Sequence, residues 1–437
     1  MRFPGPRVAK YYFPVTEKKT AVTPPAERLD GGAWYVVGLD EVIVDLEVQG
    51  VPPELLPELG LVLGESVQLS PLAMKGLLEE ILRRGLRWRY AAGGTVANTL
   101  CNYTHLSGEP ALLLGAIESC IRPGSAAFAY VAQTPKAVSL EHLLARDGQV
   151  GIAVTCFTPD GERSFGVAPG ISGDYPAEAV PAHVVQGAAL VLTSLYCLAD
   201  PQRPIAGAAM RLMQLAHEAG VPVAFGLGTA SLVRRMREEL IAVLKSYVTI
   251  AAMNAREAEA LTDEVDPLLA AQRLLEWVDV VVLTEGARGL TLAGHTDESV
   301  KRATRESVRS KTIPEYNRWE FSRLVRRRDC LQPLPIYSHI HPYLGGPEVL
   351  SNTSGAGDAA LAALLHDIAA NRYHRESVPD SKKHSAAIPF LSYSSLSRSA
   401  QYGNRVAYEV LRSCSPRLEG PVGQDQEELF NEPPPPE

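Results

Sequence analysis

The sequence predicts an α/β protein with a doubly wound, mostly parallel sheet, helices on both faces and a small β-lid. Three observations carry that reading. First, short and nearly continuous apolar runs recur at Trp34–Val37, Ala111–Ile117, Ile152–Phe157, Leu190–Leu195, Val221–Phe225, Val248–Ala252 and Val280–Leu283. Runs of this kind suit strands covered on both faces. Second, helical patterns alternate with them. Over Ile205–His217, residues Ile205, Ala208, Ala209, Leu212, Leu215 and Ala216 share one face, with Pro204 near the start and Gly220 just past the end. That is the expected placement of proline and glycine around a helix. Third, Ile43–Val48 alternates apolar and acidic residues, and Glu162–Val167 follows the turn-forming Pro159-Asp160-Gly161. Both read as half-exposed strands lying over the carboxyl ends of the core strands, where such sheets bind ligands.

The remaining segments follow in order. Residues 1–32 are rich in Pro, Lys and Gly and read as an irregular arm before one domain over 33–419. Its lid segments fall at about 41–50 and 158–170. Residues 296–350 carry little hydrophobic periodicity, and Arg326-Arg327-Arg328 within them reads as a solvated loop or short helix. Residues 420–437, acidic and ending Glu-Pro-Pro-Pro-Pro-Glu, read as a disordered tail.

Composition removes several function classes. A net charge of −8 leaves no basic excess to track nucleic-acid phosphates. The six cysteines form no C-x-x-C pair, which points to reduced thiols rather than a zinc site. No apolar stretch is long enough to span a bilayer, and no apolar leader follows Met1, so a cytoplasmic protein with no membrane partner is expected.

Four motifs carry chemistry. Asn352-Thr353-Ser354-Gly355-Ala356-Gly357-Asp358 runs into an alanine- and leucine-rich helix. A helix N-terminus presents unpaired N–H groups that attract anions, and an acid in that turn suits a base better than an anion ligand. Together they suit phosphoryl transfer to a hydroxyl. Gly355-x-Gly357-x-x-Ala360 also matches the loose dinucleotide fingerprint, and a glycine-rich loop with a capping Asp is a third reading. Upstream, Gly93-Gly94 precedes a helix carrying Asn98, either a tight turn or a place where a ligand nears the backbone. Asn254-Ala255-Arg256-Glu257 opens a helix as a capping box, or as a place where Glu257 orders a hydrated Mg²⁺. Thr284-Glu285-Gly286-Ala287-Arg288-Gly289 ends a strand with groups able to line a nucleotide. No Walker-type phosphate loop exists.

In order, these four motifs resemble the ribokinase/PfkB kinases. Within that superfamily the chain is similar to the bacterial inosine- and guanosine-phosphorylating branch. Met1-Arg2-Phe3-Pro4-Gly5-Pro6-Arg7, Tyr337–Ile340, Tyr343–Glu348, Ser415-Pro416-Arg417-Leu418 and the 296–350 insertion carry that similarity. The resemblance implies a ribokinase-like fold and ATP-dependent phosphorylation of a nucleoside 5′-hydroxyl, with adenosine or a ribose- or fructose-type sugar as the alternative acceptor. A dinucleotide-dependent oxidoreductase and a nucleotide-binding regulator without activity are the readings from other classes. It implies Asp358 as general base beside the N–H groups of Gly355, Ala356 and Gly357. It implies Asp45, Gly93, Gly94 and Asn98 around the ribose, and Arg163 and Phe165 on the lid. It places Thr284, Gly286, Gly289 and Asn404 at ATP, with Asn254 and Glu257 at a water-mediated Mg²⁺. The superfamily pattern begins Asp-Thr; here Asn352 replaces that acid, so an activating K⁺ would be held less tightly. The partners implied are small molecules, and the assembly a monomer or homodimer.

Overall fold

The computed structural model describes residues 35–63, 66–159, 163–304, 312–313, 316–350, 353–381, 383–384, 387–413 and 415–419. The expected N-terminal arm, the tail and Asn352 lie outside them.

In chain order the strands are β1 (Val36–Leu39), β2 (Ile43–Gln49), β3 (Ser66–Gln68), β4 (Arg87–Ala92), β5 (Ala111–Glu118), β6 (Val138–Ser139), β7 (Leu143–Arg146), β8 (Gly151–Phe157) and β9 (Arg163–Ala168). They continue as β10 (Leu190–Ser194), β11 (Val223–Gly226), β12 (Ile250–Asn254), β13 (Val280–Thr284), β14 (Leu290–Asp297), β15 (Arg323–Val325), β16 (Pro333–Ile340) and β17 (Phe390–Ser395). The core sheet runs β17-β15-β14-β13-β12-β11-β10-β1-β5-β6, with β16 on β14 and β7 on β5. Strands β5, β1, β10, β11, β12 and β13 are parallel, and β14 turns antiparallel. Because β1 lies between β5 and β10, the chain reverses its direction of winding there. That switch point opens a crevice at the carboxyl ends of the strands.

Alternation along β1 shows how the layers form. Val36 packs into one apolar cluster with Leu113, Leu192 and Ile250, and Val37 into the opposite one with Leu112 and Val191. The helix Pro204–Glu218 covers the second face, with Ile205, Ala208, Ala209, Leu212, Leu215 and Ala216 buried as the periodicity requires. The first face receives the helices Thr95–Ser107 and Ala356–Ser377 through Val96, Leu100, Leu361, Leu364 and Leu365. Among the described residues no helix is long and apolar enough to cross a membrane. The described cysteines Cys101, Cys120, Cys156, Cys197 and Cys330 are free thiols.

One expectation changes. The run Ile152–Phe157 is not a core strand. It forms β8, inside a second sheet ordered β3-β9-β8-β2-β4. Ile152, Val154 and Cys156 face the apolar cluster, while Ala153, Thr155 and Phe157 alternate to the other side. The strand reads as continuously apolar because Ala and Cys blur the period of two. The lid therefore has five strands, and Gly93-Gly94 follows its β4. The described residues of 296–350, which show little periodicity in the sequence, also hold regular structure. They contribute β15 and β16, with β16 paired along β14 from Asp297↔Pro333 to Leu290↔Ile340. Pro333 and Pro335 hid that strand, since proline removes a ladder donor. Arg327–Asp329 is the short helical turn expected there.

Candidate active site

The glycine turn and the acid after it anchor the site. Gly355 adopts φ +81°, and a Cβ there would come within 2.5 Å of Pro416 Cβ. Both conformation and contact demand glycine. The helix Ala356–Ser377 then begins, leaving the first N–H groups of Ala356, Gly357 and Asp358 without an intrahelical acceptor. A Cβ on Gly357 would meet nothing within 4 Å, so the turn opens onto the cleft.

Asp358, in the first turn, accepts a hydrogen bond from the Thr95 hydroxyl and a second from Asn98 Nδ2 at 3.5 Å. Burial raises its carboxyl to about 6, although the two hydrogen bonds and the charge of Arg417 oppose the rise. A carboxylate with that pKa is ionised at neutral pH and basic enough to accept a hydroxyl proton.

The lid meets Asp358 from the other side. Asp45 on β2 lies so close to Gly93 that a Cβ at Gly93 would sit 2.7 Å from Asp45 Oδ2. Burial raises Asp45 to about 7, with Glu47 and Asp358 adding to the rise and Arg417 opposing it. Gly94, at φ +90°, caps the helix carrying Thr95 and Asn98. Phe165 pairs across β8 with Thr155, and Thr155 with Glu47 on β2. Directly paired residues share a face, so Phe165 lies on the same side of the lid as Asp45. Arg163 opens β9 opposite Phe157.

Beyond Asp358 a cleft of ≈ 750 Å³ runs along the ends of β11, β12 and β13 and takes in Glu257, Thr284, Gly286, Gly289 and Asn404. Its far end is walled by Tyr343 and Tyr408, edge to face at 5.2 Å, with the Arg405 guanidinium 4.1 Å over Tyr343. Gly289 is needed because the Ile340 carbonyl of β16 lies against its Cβ position. The Asn404 amide donates to the His341 carbonyl. Its donor thus holds the Pro342–Gly346 wall in place, a role sequence alone did not suggest.

Of the two readings of Asn254 and Glu257, the capping box is present. Asn254 Oδ1 accepts from Glu257 N at 3.0 Å, and Glu257 Oε2 accepts from Asn254 N at 3.0 Å, a complete capping box. Glu257 is also buried at the cleft wall, and burial raises its carboxyl to about 7. Among the described residues no group of three His, Cys, Asp or Glu side chains could hold a metal directly. A single buried carboxylate at the wall of an open cleft fits a Mg²⁺ that keeps most of its own waters.

Three side chains were missed in the sequence: Thr95, Asp40 and Arg417. Asp40, 2% exposed at the end of β1, accepts from Ala97 N at 3.0 Å and so caps the Thr95 helix from another element. Burial pushes its carboxyl up to about 8. A carboxyl raised in the folded state stabilises the fold fully below its unfolded pKa near 4 and loses that contribution as pH rises through 8. Asp45 and Glu257 act in the same direction. The ligand-free protein is therefore expected to melt at lower temperature at pH 8.5 than at pH 5.5. Asp40→Asn should raise the melting temperature at pH 8.5 by about 3 °C and flatten the slope. Calorimetry at both pH values checks this, and an unchanged slope would remove Asp40 as its source.

The profile described as pfkB family carbohydrate kinase matches residues 61–312. Over 419 residues the chain is 42% identical to the guanosine-inosine kinase of Escherichia coli strain K12, covering 96% of each protein. The same identity and coverage hold for the guanosine-inosine kinase of E. coli O157:H7. Among solved structures, adenosine kinase from Sinorhizobium meliloti is similar with a TM-score of 0.64 at 20% identity, covering 89% of this chain and 97% of that one. Adenosine kinase from Trypanosoma brucei brucei gives 0.59 at 17%, covering 87% and 99%.

Proposed function

We propose, for a chain that belongs to the pfkB family of carbohydrate kinases, that it transfers the γ-phosphoryl group of ATP to the 5′-hydroxyl of inosine and guanosine. The single observation behind this reading is near-full-length 42% identity to a guanosine-inosine kinase. The convergence of Asp45, Asn98 and Asp358 at the glycine turn agrees with it.

The chemistry follows from the residues. Asp45 and the Gly93 backbone hold the ribose, and Asp358 accepts the 5′-hydroxyl proton as that oxygen bonds to the γ-phosphorus. The bond from phosphorus to the β-phosphate oxygen breaks, and ADP leaves with its electron pair. The N–H groups at Gly355–Gly357 face the charge on the transferring group. Glu257 would hold a Mg²⁺ through water, and such an ion would neutralise phosphate charge. Phe165 and Arg163 act from the lid on the acceptor side, and Thr284, Gly286 and Gly289 line ATP. The reading includes a cytoplasmic monomer or homodimer and a K⁺ site weakened by Asn352.

An ADP-release assay against inosine, guanosine, adenosine, ribose and fructose tests it. Inosine and guanosine are expected to exceed the other acceptors at least about tenfold in kcat/KM, a difference of about 1.4 kcal/mol. Turnover of adenosine or a sugar alone would overturn it.

A further inference from the structure

Arg417 lies far beyond residues 61–312, the stretch matched to the family, yet it is 7% exposed in the middle of the acceptor site. Its segment is clamped by one side chain: Asn102 Nδ2 donates to the Pro416 carbonyl at 3.2 Å, and Asn102 Oδ1 accepts from Leu418 N at 2.8 Å. Pro416 in turn packs on Gly355. The C-terminal segment therefore touches the anion turn and the Thr95 helix at once.

The guanidinium divides its donors between the two acceptor-site elements. Nε donates to Asn98 Oδ1 at 2.9 Å, and one terminal nitrogen donates to the Gly93 carbonyl at 3.2 Å. The other donates to the Gln133 carbonyl and the Thr134 hydroxyl, both at 3.3 Å. Arginine has donors only, so it fixes which end of the Asn98 amide faces it. Oδ1 is held on the Arg417 side, and Nδ2 is left for Asp358. The reversed amide would set a carbonyl oxygen against the carboxylate.

We propose that Arg417 is a positioning residue for the phosphoryl acceptor. It fixes the Asn98 amide donor on Asp358 and anchors the Gly93 backbone against Asp45. The proposal rests on the reading that this cleft binds the nucleoside. Its action has two parts. The planar fork holds two elements in register, which an ammonium on a flexible stem does not do. Its charge opposes the rise of Asp358 and of Asp45 on β2, while Asp40 just after β1, Glu257 on the helix after β12 and the Tyr196 phenol are the other groups that face Asp358.

Arg417→Lys keeps the charge and loses the fork, whereas Arg417→Gln loses both. Both are assayed from pH 5.5 to 9 with inosine and ATP varied separately, beside the wild type, and melting temperatures report folding. Arg417→Lys is expected to lower kcat/KM for inosine about 10–100-fold with ATP KM within about twofold and the acid limb unmoved. Arg417→Gln is expected to shift the acid limb to higher pH by about one unit as well, because Asp358 loses a neighbouring cation. Should the Gln variant not fold, the Lys variant decides by its split between inosine and ATP. Equal losses for inosine and ATP, or an inosine kcat/KM within twofold of wild type, would overturn the proposal. A wild type inactive on every nucleoside would instead overturn the functional reading and this proposal with it.

Discussion

Asp358→Asn is expected to reduce kcat for inosine about 10²–10⁴-fold, the usual contribution of a positioned base. The KM values for inosine and ATP should stay within about threefold, because an interaction used only in the transition state has been removed. The amide keeps the size of the acid and can still accept from Thr95, so the helix start and the glycine turn remain as they are. What it cannot do is take a proton. At saturating inosine the wild-type kcat should fall as pH drops below about 6, where burial has moved the Asp358 carboxyl, while protonation of Asp45, raised to about 7, acts on KM. In the variant that acid limb should vanish, leaving a low and flat profile. Turnover above a tenth of wild type, or an acid limb that survives intact, would assign the base elsewhere. Asp45 is the nearest competitor by chemistry, so the two variants belong in one experiment.

How far this site is legible in the sequence depends on how far apart its partners lie. The parallel strands of the core announce themselves because burial on both faces forces continuous apolar runs, as at Leu190–Ser194 and Val280–Thr284. Asp358 at its glycine turn is legible because the feature is local, with the glycines and the acid within four residues. Asn254 and Glu257 are legible for the same reason, being three residues apart on one helix start. Asp40 is not, because the amide it caps is 57 residues away and the intervening chain is a lid. Arg417 is 319 residues from Asn98, and nothing in Ser415–Leu418 marks it as a charge destined for burial. Strand β16 fails for a related reason. Its prolines argue against a strand locally, and only the long pairing with β14 overrides them. Burial and partner choice at such positions are properties of the assembled fold.

Asp45→Ala should raise the KM for inosine by at least about 150-fold while the KM for ATP moves less than about threefold. Two ribose hydroxyls donating to one carboxylate make charge-assisted hydrogen bonds, each contributing about 1.5–3 kcal/mol. Losing both while leaving the donors unsatisfied costs roughly the sum. Asp45 sits on a lid strand, away from the end of the cleft along β12 and β13 that is proposed to hold ATP. That separation makes the effect selective. An acceptor lacking both hydroxyls, 2′,3′-dideoxyinosine, sharpens the test. Wild type should discriminate against it about as strongly as Asp45→Ala discriminates against inosine. The variant itself should treat the two acceptors nearly alike, since the partner of the missing hydroxyls is gone. Asp45→Asn should fall between, because its amide oxygen can still accept one of the two hydrogen bonds. A variant that continues to prefer inosine by the full wild-type ratio would place ribose recognition on other residues. Equal rises in KM for inosine and ATP would instead mean that Asp45 holds the lid together rather than the sugar. Its close fit against Gly93 makes that second outcome a physical alternative, which the dideoxy comparison separates from recognition.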